Sequence, residues 1–193
     1  MSEIIIQKFG GTSLGSVERI DAVAEIIKKA SKKNKIAVVV SAMSGETNRL
    51  IDLANSFGNN PDKREFDALV STGETISSAL LSMALHSKGI KARSFSASQI
   101  AIRTTSSYSK AKILDVDAKK ILDVLENDTI PIITGFQGIT EGGDITTLGR
   151  GGSDATAVAI AAQINANRCD IYTDVDGIFT TDPNIVSLSL IHI

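Results

Sequence analysis

The feature that most constrains the fold is a series of short apolar segments separated by segments with helical periodicity. Residues 4–9, 36–40 and 130–134 are apolar almost throughout, and glycine or polar residues follow each of them. Strands that are apolar on both faces are typical of a parallel sheet covered on both sides. Apolar residues recur at helical spacing in 20–30, and residues 118–126 also predict a helix. The sequence therefore predicts an α/β protein with a mainly parallel central sheet.

The other segments extend this pattern. We predict one long helix or two in 64–86, strands in 91–96 and 169–173, a small β excursion in 100–116, a polar glycine-rich connection in 138–148 and a helix in 153–165. Ligands of parallel sheets bind beyond the carboxyl ends of the strands. Because each polar, glycine-rich segment follows a strand or opens a helix, we expect these segments to converge on one edge of the sheet.

Composition limits the function. The formal net charge of −2 gives no reason to expect nucleic acid or an anionic membrane as a partner. Cys169 is the only cysteine, so no intrachain disulfide is possible, and with two histidines we expect no resident metal site. The N-terminus has no secretory signal pattern, and no apolar stretch is long enough to span a bilayer. We expect a cytoplasmic protein.

Residues 8–13 (Lys-Phe-Gly-Gly-Thr-Ser) are the first segment whose residue types suit a binding or catalytic role. A lysine leaves the end of a buried strand, and two glycines then allow the backbone N–H groups to approach a ligand closely. A polyphosphate needs such a cation and such donors. The segment is not a Walker A loop. A plain strand–turn–helix with a surface lysine explains the segment equally well when it is taken alone.

Residues 146–154 (Thr-Thr-Leu-Gly-Arg-Gly-Gly-Ser-Asp) are the second such segment. Arg150 lies within a glycine cluster, and Ser153 and Asp154 open a predicted helix. A helix start attracts anions, and a guanidinium group binds a carboxylate or a phosphate with two hydrogen bonds. Ser153 or Asp154 as an ordinary N-cap would not explain the arginine among glycines. The pattern therefore favours an anion site.

Three further segments are ambiguous on their own. In 71–74 (Ser-Thr-Gly-Glu), Glu74 is either a ligand of a substrate ammonium group or a solvent-facing helical glutamate, and this segment alone favours the second interpretation. The hydroxyls of 41–48 bind substrate or, on better prior grounds, cap the next helix. Residues 173–183 form a turn or a loop around a nucleotide base and ribose. They lack the ligand pattern of an EF-hand.

Taken together, these segments resemble the aspartate kinases of the amino-acid kinase superfamily over residues 4–186. The motifs that carry the resemblance are 8–13, 71–74 and 146–154 above, Val-Ser-Ala-Met at 40–43 with Thr47 following, Gly-Phe-Gln-Gly at 135–138 and Tyr-Thr-Asp-Val-Asp-Gly-Ile at 172–178. The resemblance implies a three-layer α/β/α sandwich. It also implies transfer of a phosphoryl group from ATP to L-aspartate, which gives ADP and 4-phospho-L-aspartate. This is the first step of lysine, threonine and methionine biosynthesis and belongs to the diaminopimelate route.

The resemblance also implies a role for each matching residue. Lys8 would stabilise charge on the transferred phosphoryl group, and Asp154 would position Lys8. Glu74 would bind the substrate ammonium group and Arg150 a substrate carboxylate, while the remaining substrate-binding residues would be Ser41, Thr47 and Ser153. The nucleotide would be bound by Lys8, Phe9, Gly10, Gly11, Thr173, Asp174, Phe179 and Asn184. Mg²⁺ would arrive on the ATP phosphates, and the parent enzyme would be a homo-oligomer.

Two departures from the family pattern matter. Asn184 stands where the family usually has arginine, which predicts the loss of one nucleotide contact. The family pattern ends near Val186, so we expect residues 1–186 to be an incomplete catalytic domain without ACT regulatory domains, and this chain to be inactive by itself. Residues 187–193 predict a non-native tail, because the last six match the translation of a common transposon-based sequencing adapter.

Two other functions stay open at this point. One is a different kinase of the superfamily that forms an acyl phosphate, similar to glutamate 5-kinase, although Thr47 and Glu74 in their motifs favour aspartate. The other is an inactive nucleotide-binding fragment. Lys8 and Asp154 are both present, which argues against loss of activity by substitution at these positions.

Overall fold

A computed structural model describes residues 2–58 and 60–173 of the chain. In chain order the elements are β1 (Ile4–Phe9), a 3₁₀ turn (Thr12–Leu14), α1 (Val17–Ala30), β2 (Lys35–Val40), α2 (Glu46–Asn55), α3 (Lys63–Val70), α4 (Thr72–Ser87), β3 (Ala92–Phe95), β4 (Arg103–Thr104), β5 (Ile113–Asp115), α5 (Ala118–Glu126), β6 (Ile130–Thr134), β7 (Gln137–Ile139), β8 (Ile145–Thr147), α6 (Gly152–Gln163) and β9 (Arg168–Tyr172).

The main sheet has the strand order β3-β6-β2-β1-β9, and each adjacent pair is parallel. Successive residues of a strand face opposite sides of the sheet, and both sides are buried here. Ile5 and Val38 belong to a core that α1 and α4 cover, whereas Ile6 and Val39 belong to a second core under α5 and α6. The predicted three-layer α/β/α sandwich with a mainly parallel sheet is thus confirmed.

The helices follow local signals in the sequence. The Ser16 hydroxyl accepts a hydrogen bond from the Arg19 N–H at 3.3 Å and so caps the start of α1. The predicted helical region 64–86 forms two helices with only Ser71 between them. Residues 63–87 are long and apolar enough to cross a membrane by length and composition alone, but half of their most apolar window is buried within the fold. Core helices of soluble proteins show the same combination.

A second, four-stranded sheet has the order β5-β4-β7-β8. Its strands β4 and β5 confirm the β excursion predicted in 100–116. The prediction of an irregular connection for 138–148 was wrong, because β7 and β8 form an antiparallel pair there. Glycine and threonine gave this segment the composition of a loop, but Gly138 lies against the Thr104 side chain so closely that a Cβ atom would overlap it. The glycine thus permits close pairing of two strands.

Candidate active site

One open cleft of about 790 Å³ lies at the carboxyl ends of β1 and β2 and at the starts of α2, α4 and α6. It is lined by eight residues that the sequence singled out: Lys8, Gly11, Ser41, Thr47, Glu74, Arg150, Ser153 and Asp154. The expected convergence on one edge of the sheet is therefore confirmed for the segments 8–13, 41–48, 71–74 and 146–154. Three helices begin at this cleft, and helix starts favour bound anions because their N–H groups and dipoles point outward.

Lys8 and Asp154 form the ion pair of the cleft. Lys8 is near the end of β1, an inner strand of the main sheet, and is buried, and its Nζ lies 2.7 Å from Oδ1 of Asp154 in the first turn of α6. This ion pair joins the end of β1 to the start of α6. A buried ammonium held by one half-exposed carboxylate is ready to interact with a further anion.

The two glycines after β1 have different roles. A Cβ atom on Gly11 would lie 2.9 Å from the carbonyl oxygen of Ala42, so a side chain at position 11 would push the β1 and β2 loops apart. Gly10 donates its N–H to the carbonyl oxygen of Tyr172 at 3.1 Å, which continues the pairing of β1 with β9. The expectation that Gly10 offers this N–H to a phosphate is therefore not met, because the sheet uses it.

Glu74 is the most deeply buried carboxyl group of the cleft. Its side chain is 3% exposed, and Oε1 accepts a hydrogen bond from the Ala42 N–H at 3.0 Å. Oε2 is buried and has no hydrogen-bond partner among the described residues. Burial raises the pKa of Glu74 to about 7, and the Ala42 hydrogen bond offsets only part of that rise. The interpretation as a solvent-facing glutamate, which its segment alone favoured, was wrong.

Gly73 explains how Glu74 reaches this depth. A Cβ atom on Gly73 would lie 2.8 Å from the Cβ of Ala42, which is too close for any side chain. The start of α4 therefore packs directly on the loop after β2. A glycine in a helix costs about 1 kcal/mol relative to alanine, and here this close contact accounts for it.

Arg150 lies between two glycines with left-handed backbone conformations, Gly149 with φ 81° and Gly151 with φ 71°. Side chains rarely adopt such angles, so the glycines allow the chain to present the arginine just before α6 begins. The Arg150 side chain is exposed, lines the cleft and forms no ion pair within residues 2–58 and 60–173. It is therefore available to bind an anion.

The start of α6 is held against the end of β6. A Cβ atom on Gly135 would lie 2.7 Å from the Cβ of Ser153, and Thr156 accepts a hydrogen bond from the Phe136 N–H at 3.2 Å. Phe136 has a φ of 65°, an unusual conformation for a residue with a side chain, and it lines the cleft. The sequence showed the Gly-Phe-Gln-Gly motif but gave no reason to place Phe136 at the site.

The residues expected to bind the nucleotide are only partly described. The Phe9 ring is 1% exposed and stacks on Tyr172 with centroids 4.5 Å apart, so its side chain belongs to the core and not to the cleft. Thr173 is exposed at the end of β9 and is not among the residues that line the cleft. Asp174, Phe179 and Asn184 lie outside the described residues.

Comparison with known proteins decides the family. The family model described as "Amino acid kinase family" matches residues 3–192. The chain belongs to the amino acid kinase family. Aspartate kinase of Pseudomonas putida is 54% identical over 184 residues, which are 95% of this chain and 45% of that protein. Aspartokinase 2 of Bacillus subtilis is 52% identical, with the same two coverages. The chain thus spans about half the length of the curated relatives that it matches.

Solved structures of this amino acid kinase family agree with the fold. The crystal structure of E. coli aspartokinase III in complex with aspartate and ADP superposes with a TM-score of 0.84 at 29% identity, covering 97% of this chain and 53% of that one. Aspartate kinase from Synechocystis gives a TM-score of 0.77 at 47% identity, covering 94% of this chain and 30% of that one.

The cleft of this family member suits Mg²⁺ only as a companion of phosphate. No group of three or more histidine, cysteine, aspartate or glutamate side chains in the described part of the chain is arranged to hold a metal ion. Mg²⁺ often binds through one or two carboxylates plus substrate phosphates and keeps several waters. Asp154, whose half-exposed carboxylate lines the cleft, fits that limited role.

Proposed function

We propose that this chain carries the catalytic groups of an aspartate kinase, which transfers the terminal phosphoryl group of ATP to the side-chain carboxylate of L-aspartate. The observation that carries the proposal is that one cleft contains a lysine–aspartate pair together with a buried carboxylate and an arginine that form no ion pair with any residue of 2–58 and 60–173. An amino acid with two carboxylates and an ammonium group complements these charges. The name of the relatives at 54% and 52% identity supports the choice of aspartate.

Glu74 and Arg150 would hold the two ends of the amino acid. Oε2 of Glu74 would accept hydrogen bonds from the ammonium group, and Arg150 would bind a carboxylate through its planar fork of donors. Ser41, Thr47 and Ser153 line the same cleft and would add hydroxyl contacts. Substrate binding would thus satisfy a buried acceptor that has no hydrogen-bond partner in the described part of the chain.

Lys8 and Asp154 would act at the phosphoryl group. An oxygen of the aspartate side-chain carboxylate attacks the γ-phosphorus, the bond from that phosphorus to the β,γ-bridging oxygen breaks, and ADP leaves with the electron pair. The attacking carboxylate is already ionised near neutral pH, so no general base is needed. Lys8 would neutralise charge on the transferred group, and Asp154 would hold the ammonium in place. Mg²⁺, when bound, supplies further neutralisation of phosphate charge.

A chimera tests this proposal without depending on the length of the chain. Residues 3–173 would replace the matching segment of Bacillus subtilis aspartokinase 2, which is 52% identical. We expect ADP formation that requires both Mg²⁺ and L-aspartate, with L-glutamate at the same concentration giving little. The unmodified aspartokinase 2 is the matched control.

The other outcomes separate the alternatives. Faster turnover with L-glutamate would support an acyl-phosphate-forming kinase of the glutamate type. Nucleotide binding without turnover in a folded chimera would support an inactive binding module. Either result would refute the proposal.

A further inference from the structure

Asp67 is a buried carboxylate that has no part in the chemistry described above. It lies in α3, is 0% exposed, and accepts four hydrogen bonds. Oδ2 accepts from the backbone N–H groups of Ser109 and Thr147, both at 2.8 Å, and Oδ1 accepts from their hydroxyls at 3.0 and 2.9 Å. Both oxygens are thus fully used, and none of the four donors comes from α3 itself.

The partners of Asp67 surround the segment that carries Arg150. Thr147 ends β8 three residues before the arginine. Ser109 lies on the other side, because a Cβ atom on Gly149 would lie 3.5 Å from the Ser109 carbonyl oxygen. A hydrogen bond of 2.9 Å from the Ala111 N–H to the Thr147 carbonyl oxygen joins the two partners. Asp67 therefore fixes both the strand that leads into the Arg150 loop and the loop packed against it.

Asp67 is also connected to Glu74 through the helices. It precedes Glu74 by seven residues, with Ser71 alone between α3 and α4. The Gln137 side-chain amide donates to the Ser71 carbonyl oxygen at 2.9 Å, so β7 holds the junction of the two helices. The start of α4 cannot shift freely because Gly73 packs on Ala42.

We propose that Asp67 is a positioning residue that sets the separation of Glu74 and Arg150, the two groups that would bind the ends of the amino acid. This inference rests on the proposed function for its substrate but not for its geometry. Displacement of a binding group by about 1 Å can cost on the order of 100-fold in rate, so a fixed separation matters for a small, rigid acceptor.

Two substitutions at Asp67 separate a geometric role from a charge role. In Asp67→Asn, the amide oxygen still accepts from both N–H groups, and the NH₂ group donates to the two hydroxyls, which can also act as acceptors. In Asp67→Ala, all four contacts are lost and two backbone N–H groups are left buried without acceptors. A positioning role predicts a severe effect of alanine and a slight effect of asparagine.

Limited trypsin cleavage of the 193-residue chain measures how firmly the Arg150 loop is held in place. Arg150 is exposed in its loop, and Lys33 lies in the exposed turn after α1 and serves as the internal reference. For Asp67→Ala we expect the cleavage rate after Arg150, relative to that after Lys33, to rise about tenfold or more through local opening. Asp67→Asn should stay within about twofold of the natural chain.

Thr146→Val is the matched structural control. Thr146 is buried one residue from Thr147 and shares a 2.6 Å hydrogen bond with Thr104 in the same small sheet, but it is not one of the hydrogen-bond donors to Asp67 within the described residues. The control should leave the Arg150/Lys33 cleavage ratio unchanged. If Asp67→Ala does not fold, Thr147→Val and Ser109→Ala each remove one hydroxyl contact, and each should raise the ratio by a smaller factor.

Equilibrium titration of the chimera with L-aspartate and, separately, with ATP completes the test. We expect Asp67→Ala to weaken L-aspartate binding by about 10- to 100-fold while ATP binding changes little. An equal rise in cleavage for Thr146→Val and Asp67→Ala, or a loss in Asp67→Asn as large as in Asp67→Ala, would overturn the inference. If the unsubstituted chimera binds no L-aspartate, the proposed function fails, and the cleavage ratios alone decide whether Asp67 holds the loop.

Discussion

Two carboxylates of one cleft, Asp154 and Glu74, are held in opposite ways. Asp154 is half-exposed and lies 2.7 Å from the ammonium group of Lys8. Glu74 is buried, receives one backbone N–H and has a second oxygen without a hydrogen-bond partner in the described part of the chain. The protein supplies the cation for Asp154, whereas the described residues supply none for Glu74. Under the proposed function, Asp154 would position the protein's own lysine and Glu74 would bind the ammonium group of the substrate.

Removal of the Lys8 ammonium group should have the largest effect on activity. In the chimera, Lys8→Ala should lower kcat by about 100- to 1,000-fold, because a single donor to developing charge typically contributes that much. L-aspartate binding should persist, since Lys8 would act on the phosphoryl group. The checks are steady-state turnover and L-aspartate titration in the same preparation. Near-normal turnover would show that Lys8 does not have this role. The contrast between Asp154, as the partner of a catalytic lysine, and Glu74 would then be wrong.

Removal of the buried carboxylate of Glu74 should weaken L-aspartate binding but increase the free energy of unfolding. Glu74→Gln should weaken L-aspartate binding by about 100-fold, because a buried charged hydrogen bond is lost. A folded-state pKa of about 7, above the ordinary 4.5, means that the native chain binds more protons than the unfolded chain between these values, so stability falls as pH rises through that window. At pH 8 the cost is about 3 kcal/mol, which glutamine would avoid.

The stability gain of Glu74→Gln should therefore depend on pH. Urea unfolding should show a gain of up to about 3 kcal/mol at pH 8 and almost none at pH 4, below the unfolded-state pKa. Thr47→Val, a change in the same cleft without a titrating group, is the control and should show no such pH dependence. A gain that is equal at both pH values would mean that Glu74 is not destabilised by its charge.

The pH dependence of binding sharpens the same contrast without a mutation. Because burial raises the pKa of Glu74 to about 7, its ionised fraction falls about tenfold between pH 8 and pH 6, and L-aspartate affinity should fall by about the same factor. The groups that titrate on aspartate itself do not change over this range. Calorimetric titration at several pH values tests this expectation, and a flat profile would contradict it.

The smallest expected effect concerns the arginine. Arg150→Lys should raise the KM for L-aspartate by about tenfold with ATP binding unchanged, because lysine cannot reproduce a bidentate carboxylate contact. Arg64→Lys, at an exposed arginine of α3 that forms surface ion pairs, provides the matched control. If Arg150→Lys weakens ATP binding alone, Arg150 contacts the nucleotide, and its assignment to the substrate carboxylate is wrong.

The inner strands of the main sheet could be predicted from the sequence because both of their faces are buried. Strands such as Lys35–Val40 show this directly as apolar runs. The pair β7–β8 could not be predicted, because glycine and threonine in a small, partly polar sheet look like loop composition. The local pattern therefore identifies apolar strands that are buried on both faces and misses short strands of mixed composition.

The sequence predicted which residues belong to the site but not how deeply each of them is buried. The motifs indicated Lys8, Glu74 and Asp154, yet the depth of Glu74 depends on Gly73 packing against Ala42, a contact between distant segments. Asp67 gave no signal at all, because its four donors come from residues 42 and 80 positions away. A single sequence without such contacts does not distinguish a buried carboxylate from a solvent-facing one.

The position of β1 determines when the cleft can exist during synthesis of the chain. This strand pairs with β2 on one side and with β9 on the other, and Ile5 lies opposite Arg168. A ribosome must therefore release more than 160 residues after Ile5 before β1 gains its second neighbour. Such distant pairing slows folding, because the chain must close a long loop first. Until Tyr172 emerges, the edge of β1 that pairs with β9 is open in the nascent chain. Chaperones would be most useful in that interval.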